Sequence, residues 1–170
     1  MPDWMASLPK LQPAFSENSV PVVFAANDTY IPIFAACLHS LLEHISENNN
    51  YDIVLLSSDI RKENKEPLLQ MAAVRPNVSL RFCDPSHLIR DYDLRTSGHI
   101  SVETYYRFLI QDVLPQYDKV LYLDCDLVVL GDISELYHVD LGNNILGAAP
   151  EQFVQNTPEF RLYADKAVGV

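Results

Sequence analysis

The sequence predicts an α/β fold with a mainly parallel sheet flanked by helices. Two observations support this prediction. Short apolar runs of strand length recur along the 170-residue chain, and stretches with helical spacing of apolar residues separate them. Because parallel strands need long crossover connections, this alternation indicates β-α-β units. The composition, 48% hydrophobic and 21% charged, is that of an ordinary globular domain with a sizeable core.

The first strand-helix unit is predicted near the start of the chain. Residues 20–26, VPVVFAA, form an apolar run of strand length. From Phe34 to Ile45, apolar residues then recur at spacings of three and four, which predicts a helix. Pro32 fits the first turn of that helix, where no amide hydrogen is needed.

Two more strands follow. Residues 51–57, YDIVLLS, and residues 78–84, VSLRFCD, have the length and pattern of buried strands. A second helix is expected between them, running towards Val74. Pro67 should interrupt or restart this helix, because proline lacks the amide hydrogen.

The second half of the chain is predicted to continue the alternation. A polar loop with a turn of helix is expected at residues 85–98, and a helix at 102–114. Residues 119–123 predict a fourth strand. Shorter apolar runs at 127–130 and at 145–149, ILGAA, predict two further short strands.

The two ends of the chain differ from its centre. Residues 1–19 contain three prolines and mixed polarity, so we expect a poorly ordered arm before the binding part at residues 20–170. The arm lacks a basic flank followed by an apolar stretch, so it does not resemble a signal peptide. The last residues, PEFRLYADKAVGV, predict a helix with no strand after it, which favours a truncated chain.

The net charge limits the kinds of partner that the protein can bind, and its cysteines indicate its compartment. Twelve basic residues against twenty-three acidic ones give a net charge of −11, which argues against nucleic acid as a partner. The sequence has no apolar run of transmembrane length. Cys37, Cys83 and Cys125 show neither close pairing nor metal-ligand spacing, so we expect buried free thiols in a reducing compartment, the cytoplasm.

A pair of aspartates stands out in the segment DKVLYLDCDLVVLGD. Asp124 and Asp126 follow the fourth apolar run, at the carboxyl end of a predicted strand, where ligands bind in open parallel sheets. If the strand continues, both carboxylates face one side and Cys125 faces the other. A divalent cation such as Mg²⁺ or Mn²⁺ would relieve their repulsion and hold a diphosphate despite the acidic surface. The alternative is a solvated turn, in which aspartate is common.

Two other functions remain open at this point. The segment LYLDCDLVV also fits the motif of haloacid-dehalogenase-type phosphatases, in which Asp124 would be the nucleophile and Asp126 a general acid. That motif normally lies on the first strand of its domain, whereas at least three strands are predicted before it here. A non-catalytic carbohydrate-binding or assembly protein is the other alternative. No dinucleotide or P-loop fingerprint occurs among the five glycines.

Four stretches resemble one known family. VVFAANDTY, HISVETYYRF, YDKVLYLDCDLVVLGDISELYHVDLG and ILGAAPE occur here in the order of that family's motifs. The third stretch is long and specific, and the likeness extends from residue 20 to nearly the end of the chain. The family is that of the retaining, nucleotide-sugar-dependent glycosyltransferases of family 8, which includes bacterial lipopolysaccharide galactosyl- and glucosyltransferases and the glycogenins.

The resemblance implies a glycosyltransferase A-type fold, which is Rossmann-like, and a UDP-sugar donor. It implies Mn²⁺ or Mg²⁺ held by Asp124 and Asp126 against the diphosphate. The first loop would hold the nucleoside, with Tyr30 stacking on uracil. Family members usually carry aspartate where Asn27 stands, and often asparagine where Thr29 stands. The loop residues that the resemblance assigns to nucleotide binding are Ala25, Asn27, Thr29 and Tyr30.

The second stretch adds Arg107, which the resemblance places near the sugar and phosphate together with Ile100 and Thr104. A guanidinium suits a diphosphate in an otherwise acidic protein. The alternative for Arg107 is an ion pair with Asp112 or with Glu103, which lies four residues earlier on the predicted helix.

The resemblance completes the functional prediction. It includes Cys125 in the nucleotide-sugar-binding segment and places Glu151 near the transferred sugar, although a surface glutamate is the ordinary alternative. The implied activity is metal-dependent, retaining transfer of a hexose to a glycan or lipopolysaccharide-type, lipid-linked acceptor. The family's third metal ligand, a histidine in a later motif, is missing, so an incomplete or inactive half is expected. A cut sheet would leave an apolar edge and favour self-association.

Overall fold

The structure is a computed structural model that describes residues 11–97, 101–150, 152–163 and 165–166. The described residues up to His138 form one compact unit, and those from Val139 onward form a second. The division predicted from sequence, an arm at 1–19 and a binding part at 20–170, stays a prediction. Among the described helices, none is long and apolar enough to cross a membrane.

The first unit is built on a parallel sheet, which confirms the predicted fold class. Its strands are β1 (Ser19–Ala25), β2 (Asn50–Leu56), β3 (Val78–Cys83) and β4 (Leu121–Tyr122). Their spatial order is β3-β2-β1-β4, with every neighbouring pair parallel. The chain therefore adds strands on one side of β1 first and then on the other side.

The predicted helices flank this sheet with some changes in length, and a short helix at Ser134–Tyr137 is present that was not predicted. The helix expected over 102–114 is divided by a 3₁₀ turn at Arg107–Leu109, and a second 3₁₀ turn, Asp28–Tyr30, precedes the first helix. The helices of the first unit are α1 (Ile31–Leu42), α2 (Lys62–Ala73), α3 (Ser86–Ile89), α4 (Val102–Tyr106), α5 (Ile110–Val113) and α6 (Ser134–Tyr137).

Each face of the sheet carries its own apolar core. On one face, Phe24 and Phe34 meet edge to face at 5.1 Å between ring centroids, and α1, α2 and the segment after β4 complete the cluster. On the other face, Val23 and Val54 pack against Tyr106 and the residues of α5. The alternation of neighbouring side chains between the two clusters is what a strand buried on both faces requires.

A buried polar network ties the start of the chain to the sheet. Asp52 on β2 is completely buried, and Arg81 Nη2 donates to its Oδ1 at 2.6 Å and to its Oδ2 at 2.8 Å. Tyr117 Oη and Ala14 N also donate to Oδ2, at 2.7 and 2.8 Å. Arg81 donates in addition to the carbonyl of Gln12, at 2.6 Å. These contacts satisfy a carboxylate that would be costly to bury alone.

Three local predictions need correction. The apolar runs at 127–130 and 145–149 are irregular rather than strands. The side chains of Val128 and Ile145 are 70% and 103% exposed, so apolar character alone does not make a strand. The α2 helix continues through Pro67, since the loss of one amide donor is offset by burial of the Leu68 side chain against the sheet.

The second unit contains two short helices, α7 (Gln152–Asn156) and α8 (Pro158–Tyr163). Phe153 and Phe160 bring these helices together, with ring centroids 5.3 Å apart. Both phenylalanines remain about half exposed, at 62% and 49%. This unit therefore has little buried core of its own among its described residues.

Candidate functional site

The strand order creates a switch point between β1 and β4. The chain leaves β1 towards β2, whereas β4 lies on the opposite side of β1. In open parallel sheets, ligands bind beyond the carboxyl ends of the strands at such a point. We use the name switch edge for residues 26–30 after β1 and 123–126 after β4. The predicted nucleotide loop and the predicted aspartate pair meet at this edge.

Arg107 contacts one of the two aspartates directly. Its Nη2 lies 3.1 Å from Asp124 Oδ1, and its Nε donates to the carbonyl of Thr104 at 3.1 Å. The guanidinium also lies over the ring of Tyr122, 4.9 Å from the centroid. Among the described residues, Arg107 therefore forms its ion pair with Asp124 and not with Glu103 or Asp112 of the predicted helix.

Tyr122 adds a neutral phenol to this cluster. Burial, followed by the charge and hydrogen bonding of Asp124, raises the pKa of Tyr122 to about 12 against an opposing effect of Arg107. The ring thus supplies a flat, uncharged surface for the guanidinium, an arrangement that favours a cation over the ring.

The aspartate pair lies at the end of a strand, as predicted, but not within one. The strand β4 ends at Tyr122, and Cys125 and Asp126 form a turn. Both carboxylates are exposed, but the strand alternation used to place them on one side does not apply here. Asp126 lies close enough to Cys37 on α1 that its charge helps to raise the pKa of that thiol, after burial.

Cys125 faces the core, although it does so from a turn and not from the strand that the prediction assumed. Its side chain is 8% exposed and belongs to the cluster that contains α1. Burial, with a smaller effect of Asp126, raises the pKa of its thiol to about 11. The thiol is therefore neutral near pH 7. All three cysteines are free and buried, which confirms that prediction.

Asn27 organises the loop after β1. Its Oδ1 accepts from the backbone N–H of Tyr30 at 3.2 Å and so caps the 3₁₀ turn. Its Nδ2 donates to Glu103 Oε2 on α4 at 3.5 Å. Ser101 Oγ donates to the same oxygen at 2.6 Å. Asn27 thereby links the loop after β1 to α4, the helix that directly precedes Arg107.

The same loop is fastened to the start of α2. Asp28 accepts from the Arg61 backbone N–H at 3.0 Å, from Arg61 Nε at 2.6 Å and from Asn64 Nδ2 at 2.7 Å. These donors, the backbone N–H of Arg61 first, lower the pKa of Asp28. In return, the Asp28 N–H donates to Asp59 at 3.2 Å. The loop is thus held between α2 and α4.

The remaining predicted residues have diverse surroundings. Ala25 is at the buried end of β1, whereas Thr29 is exposed and Tyr30 is 42% exposed, so its ring is accessible to a ligand. Thr104 is half-buried on α4 and contacts Arg107 through its carbonyl. Ile100 and Glu151 lie outside the described residues.

Sequence reasoning missed two members of the cluster. The sequence predicts Glu103 only as an ion-pair partner of Arg107, and Tyr122 only as part of a strand. Both lie in stretches that resemble the family, but their contacts are not predicted. The contact of Glu103 with Asn27 joins residues 76 positions apart in the chain, which local patterns do not encode.

Comparison with known proteins shows the family to which this chain belongs. The profile of glycosyl transferase family 8 matches residues 21–167. Glycosyltransferase GlyE of Streptococcus pneumoniae is 34% identical over 135 residues, which are 78% of this chain and 32% of GlyE. General stress protein A of Bacillus subtilis is 25% identical over 132 residues, 76% of this chain and 46% of that protein.

Solved structures show the same fold. The bifunctional glycosyltransferase WbbM superposes with a TM-score of 0.83 and 32% identity, covering 95% of this chain and 30% of WbbM. The galactosyltransferase LgtC superposes with a TM-score of 0.68 and 26% identity, covering 89% of this chain and 52% of LgtC. This chain thus spans between about a third and about half of the length of these relatives. It has the glycosyltransferase A-type fold and belongs to glycosyltransferase family 8.

Proposed function

We propose that this chain is the nucleotide-sugar-binding part of a metal-dependent, retaining glycosyltransferase. Its donor is a UDP-sugar, and the transferred group is a hexose. The acceptor is a glycan or a lipid-linked saccharide of the lipopolysaccharide type. The observation that carries the proposal is the contact between Arg107 and Asp124 at the switch edge, in a chain of this family.

The two aspartates fit a hard divalent cation by their chemistry. Among the described residues, no group of three His, Cys, Asp or Glu side chains is positioned to hold a metal. Mg²⁺ and Mn²⁺, however, are commonly held by one or two carboxylates together with substrate phosphates and water. Asp124 and Asp126 are exposed carboxylates at the carboxyl end of β4, so they provide such an incomplete set. When bound, the cation would neutralise charge on the UDP leaving group.

Arg107 has a defined part in this proposal. Its guanidinium would bind a diphosphate oxygen, for which its fork of donors is suited. The bond to the Thr104 carbonyl and the ring of Tyr122 hold the side chain at the switch edge. A positive charge is thereby kept near the proposed leaving group in an otherwise acidic protein.

The nucleotide loop supports the uridine end of the donor. The ring of Tyr30 is 42% exposed beside Thr29, at the end of a 3₁₀ turn fixed by Asn27. An accessible phenol ring can stack on a base while its hydroxyl stays in water. Ala25 and the backbone of Cys125 complete the proposed donor site, and Ile100 and Glu151 are kept as candidates on the resemblance alone.

The relatives support the choice of reaction. LgtC is a galactosyltransferase whose structure was solved with donor and acceptor sugar analogues, and WbbM is a bifunctional glycosyltransferase. Family membership favours glycosyl transfer over the phosphatase, as does the aspartate pair following the fourth strand rather than the first. The three free thiols are compatible with the cytoplasm. Self-association and the identity of the acceptor stay predictions.

Calorimetry of UDP binding with and without Mn²⁺ tests the proposal. The wild-type chain should bind UDP about tenfold or more tightly with Mn²⁺, and Asp124→Asn should remove that difference, since a neutral amide is a poorer ligand for a hard cation. Asp140→Asn, an exposed aspartate of the second unit, is the matched control and should behave as wild type. Equal UDP affinity with and without Mn²⁺ would overturn the metal site.

A further inference from the structure

The side-chain amide of Asn27 is held at both ends. Its Oδ1 accepts from the Tyr30 backbone, and its Nδ2 donates to Glu103. An amide turned by half a rotation would place Oδ1 against the carboxylate of Glu103 and Nδ2 against the N–H of Tyr30. Both of those contacts would be repulsive, so the two neighbours together allow one orientation.

We propose that Glu103 is a positioning residue that sets how the donor nucleotide is recognised at position 27, an inference that rests on the proposed function. Ser101 Oγ fixes the carboxylate of Glu103, and Glu103 in turn fixes the amide of Asn27. One Nδ2 hydrogen of Asn27 points to Glu103, which leaves its second hydrogen for the ligand. The loop then presents an amide donor, matched by an acceptor atom such as a carbonyl oxygen of a pyrimidine base.

An aspartate at position 27 would change this contact. The resemblance places an aspartate in the loop at this position, whereas here the loop carries an amide that faces the carboxylate of Glu103 on α4. Aspartate at 27 would put two carboxylates at hydrogen-bonding distance, which is unfavourable without a cation or proton. Exchanging both residues, as in Asn27→Asp with Glu103→Gln, restores an amide–carboxylate pair at unchanged net charge.

Glu103 also has a plain structural role to exclude. It lies in the first turn of α4, where a negative charge is favourable to a helix. If that were its whole role, the losses of stability caused by substituting Asn27 and Glu103 would add. If the two side chains act as a pair, the double variant recovers the stability that Asn27→Asp loses.

Unfolding experiments test the pairing without any ligand. The four proteins of the cycle are wild type, Asn27→Asp, Glu103→Gln and the double variant, compared by urea denaturation. We expect Asn27→Asp to lower the unfolding midpoint most and the double variant to return close to wild type. Glu47→Gln, an exposed glutamate after α1, should leave the midpoint unchanged. Additive effects of the two single substitutions would overturn the inference.

UDP binding in the presence of Mn²⁺ tests the consequence for recognition. Asn27→Asp should weaken binding about tenfold, because its carboxylate has no N–H to donate to the ligand, and the double variant should stay about as weak for the same reason. Glu103→Gln keeps the Asn27 amide but no longer fixes its orientation, so it should weaken binding by a smaller factor. If wild type binds UDP and Glu103→Gln binds equally well, Glu103 does not set recognition, although the proposed function stands. If wild type fails to bind UDP, the proposed function falls together with the recognition role, and the unfolding cycle alone decides the pairing.

Discussion

Two arginine–aspartate pairs in the first unit show opposite environments. Arg81 and Asp52 lie on the sheet, with 24% and 0% of their side chains exposed and contacts of 2.6 and 2.8 Å. Arg107 and Asp124 lie at the switch edge, 38% and 56% exposed, with one contact of 3.1 Å. Each pair joins the same two chemical groups, so the difference lies in burial and in the number of other partners.

The buried pair stabilises the fold, whereas the exposed pair is free to exchange partners. Asp52 also receives hydrogen bonds from Tyr117 and from the Ala14 backbone, so it cannot leave without stranding several buried donors. Asp124 faces water, which can replace Arg107 at little cost. The proposed binding and release of a diphosphate would need the second kind of pair.

Replacing each arginine by leucine should give the largest contrast. Arg81→Leu leaves Asp52 buried without its cation, so we expect a loss of about 3 kcal/mol in the free energy of unfolding. Arg107→Leu removes an exposed pair and should cost less than about 1 kcal/mol. Urea denaturation of both variants measures this. Equal losses in the two variants would contradict the assignment of different roles.

For UDP binding, in contrast to stability, we expect the larger effect from substitution of Arg107 rather than of Arg81. Arg107→Leu is expected to weaken UDP binding in the presence of Mn²⁺ about tenfold, because a charge-assisted bond to the diphosphate is lost. Arg107→Lys should keep part of the affinity through its charge. Arg75→Leu is a matched control, since this exposed arginine precedes β3 at the opposite end of the sheet and contacts Glu43 at 4.0 Å. Unchanged UDP affinity in Arg107→Leu would remove Arg107 from the donor site.

The central part of the fold could be predicted from sequence because its strands are buried on both faces. Near-continuous apolar runs locate β1, β2 and β3 within one or two residues of their observed bounds. The runs at 127–130 and 145–149 look the same in sequence, but apart from the buried Val129 their large apolar side chains are exposed, as Leu130 at 82% shows. A strand needs a neighbour with which to pair, and that requirement is not visible in a single run of residues.

The candidate site could likewise be predicted from the sequence only in part. The motif around Asp124 and the position of Arg107 were predicted from the sequence, since each lies in a long stretch that resembles the family. The partner of Arg107 was not, because helical spacing pointed to Glu103 while the helix changes to a 3₁₀ turn at Arg107 itself. The contact of Glu103 with Asn27 depends on how α4 packs over β1, a tertiary result that spacing does not predict.

A smaller loss of stability, due to Tyr117 beside the buried pair, should appear at alkaline pH. Burial and hydrogen bonding to Asp52 raise the pKa of Tyr117 from 10.0 to about 12. A raised pKa in the folded state means that the stabilisation is complete below pH 10 and is lost as the pH rises through about 12. Stability of the wild-type chain should therefore fall over this interval, and Tyr117→Phe, which has no phenol to ionise, should fall less.

Urea denaturation at several pH values between about 9 and 12 measures this slope. Tyr122, whose pKa is also raised to about 12, is present in both proteins, so its contribution cancels in the comparison. Tyr92→Phe, at a side chain that is 69% exposed, should follow wild type. Parallel slopes for wild type and Tyr117→Phe would mean that the hydroxyl of Tyr117 is not coupled to Asp52. Asp52 would then be stabilised by Arg81 and the Ala14 backbone alone, and the buried pair would differ less from the exposed pair at the switch edge.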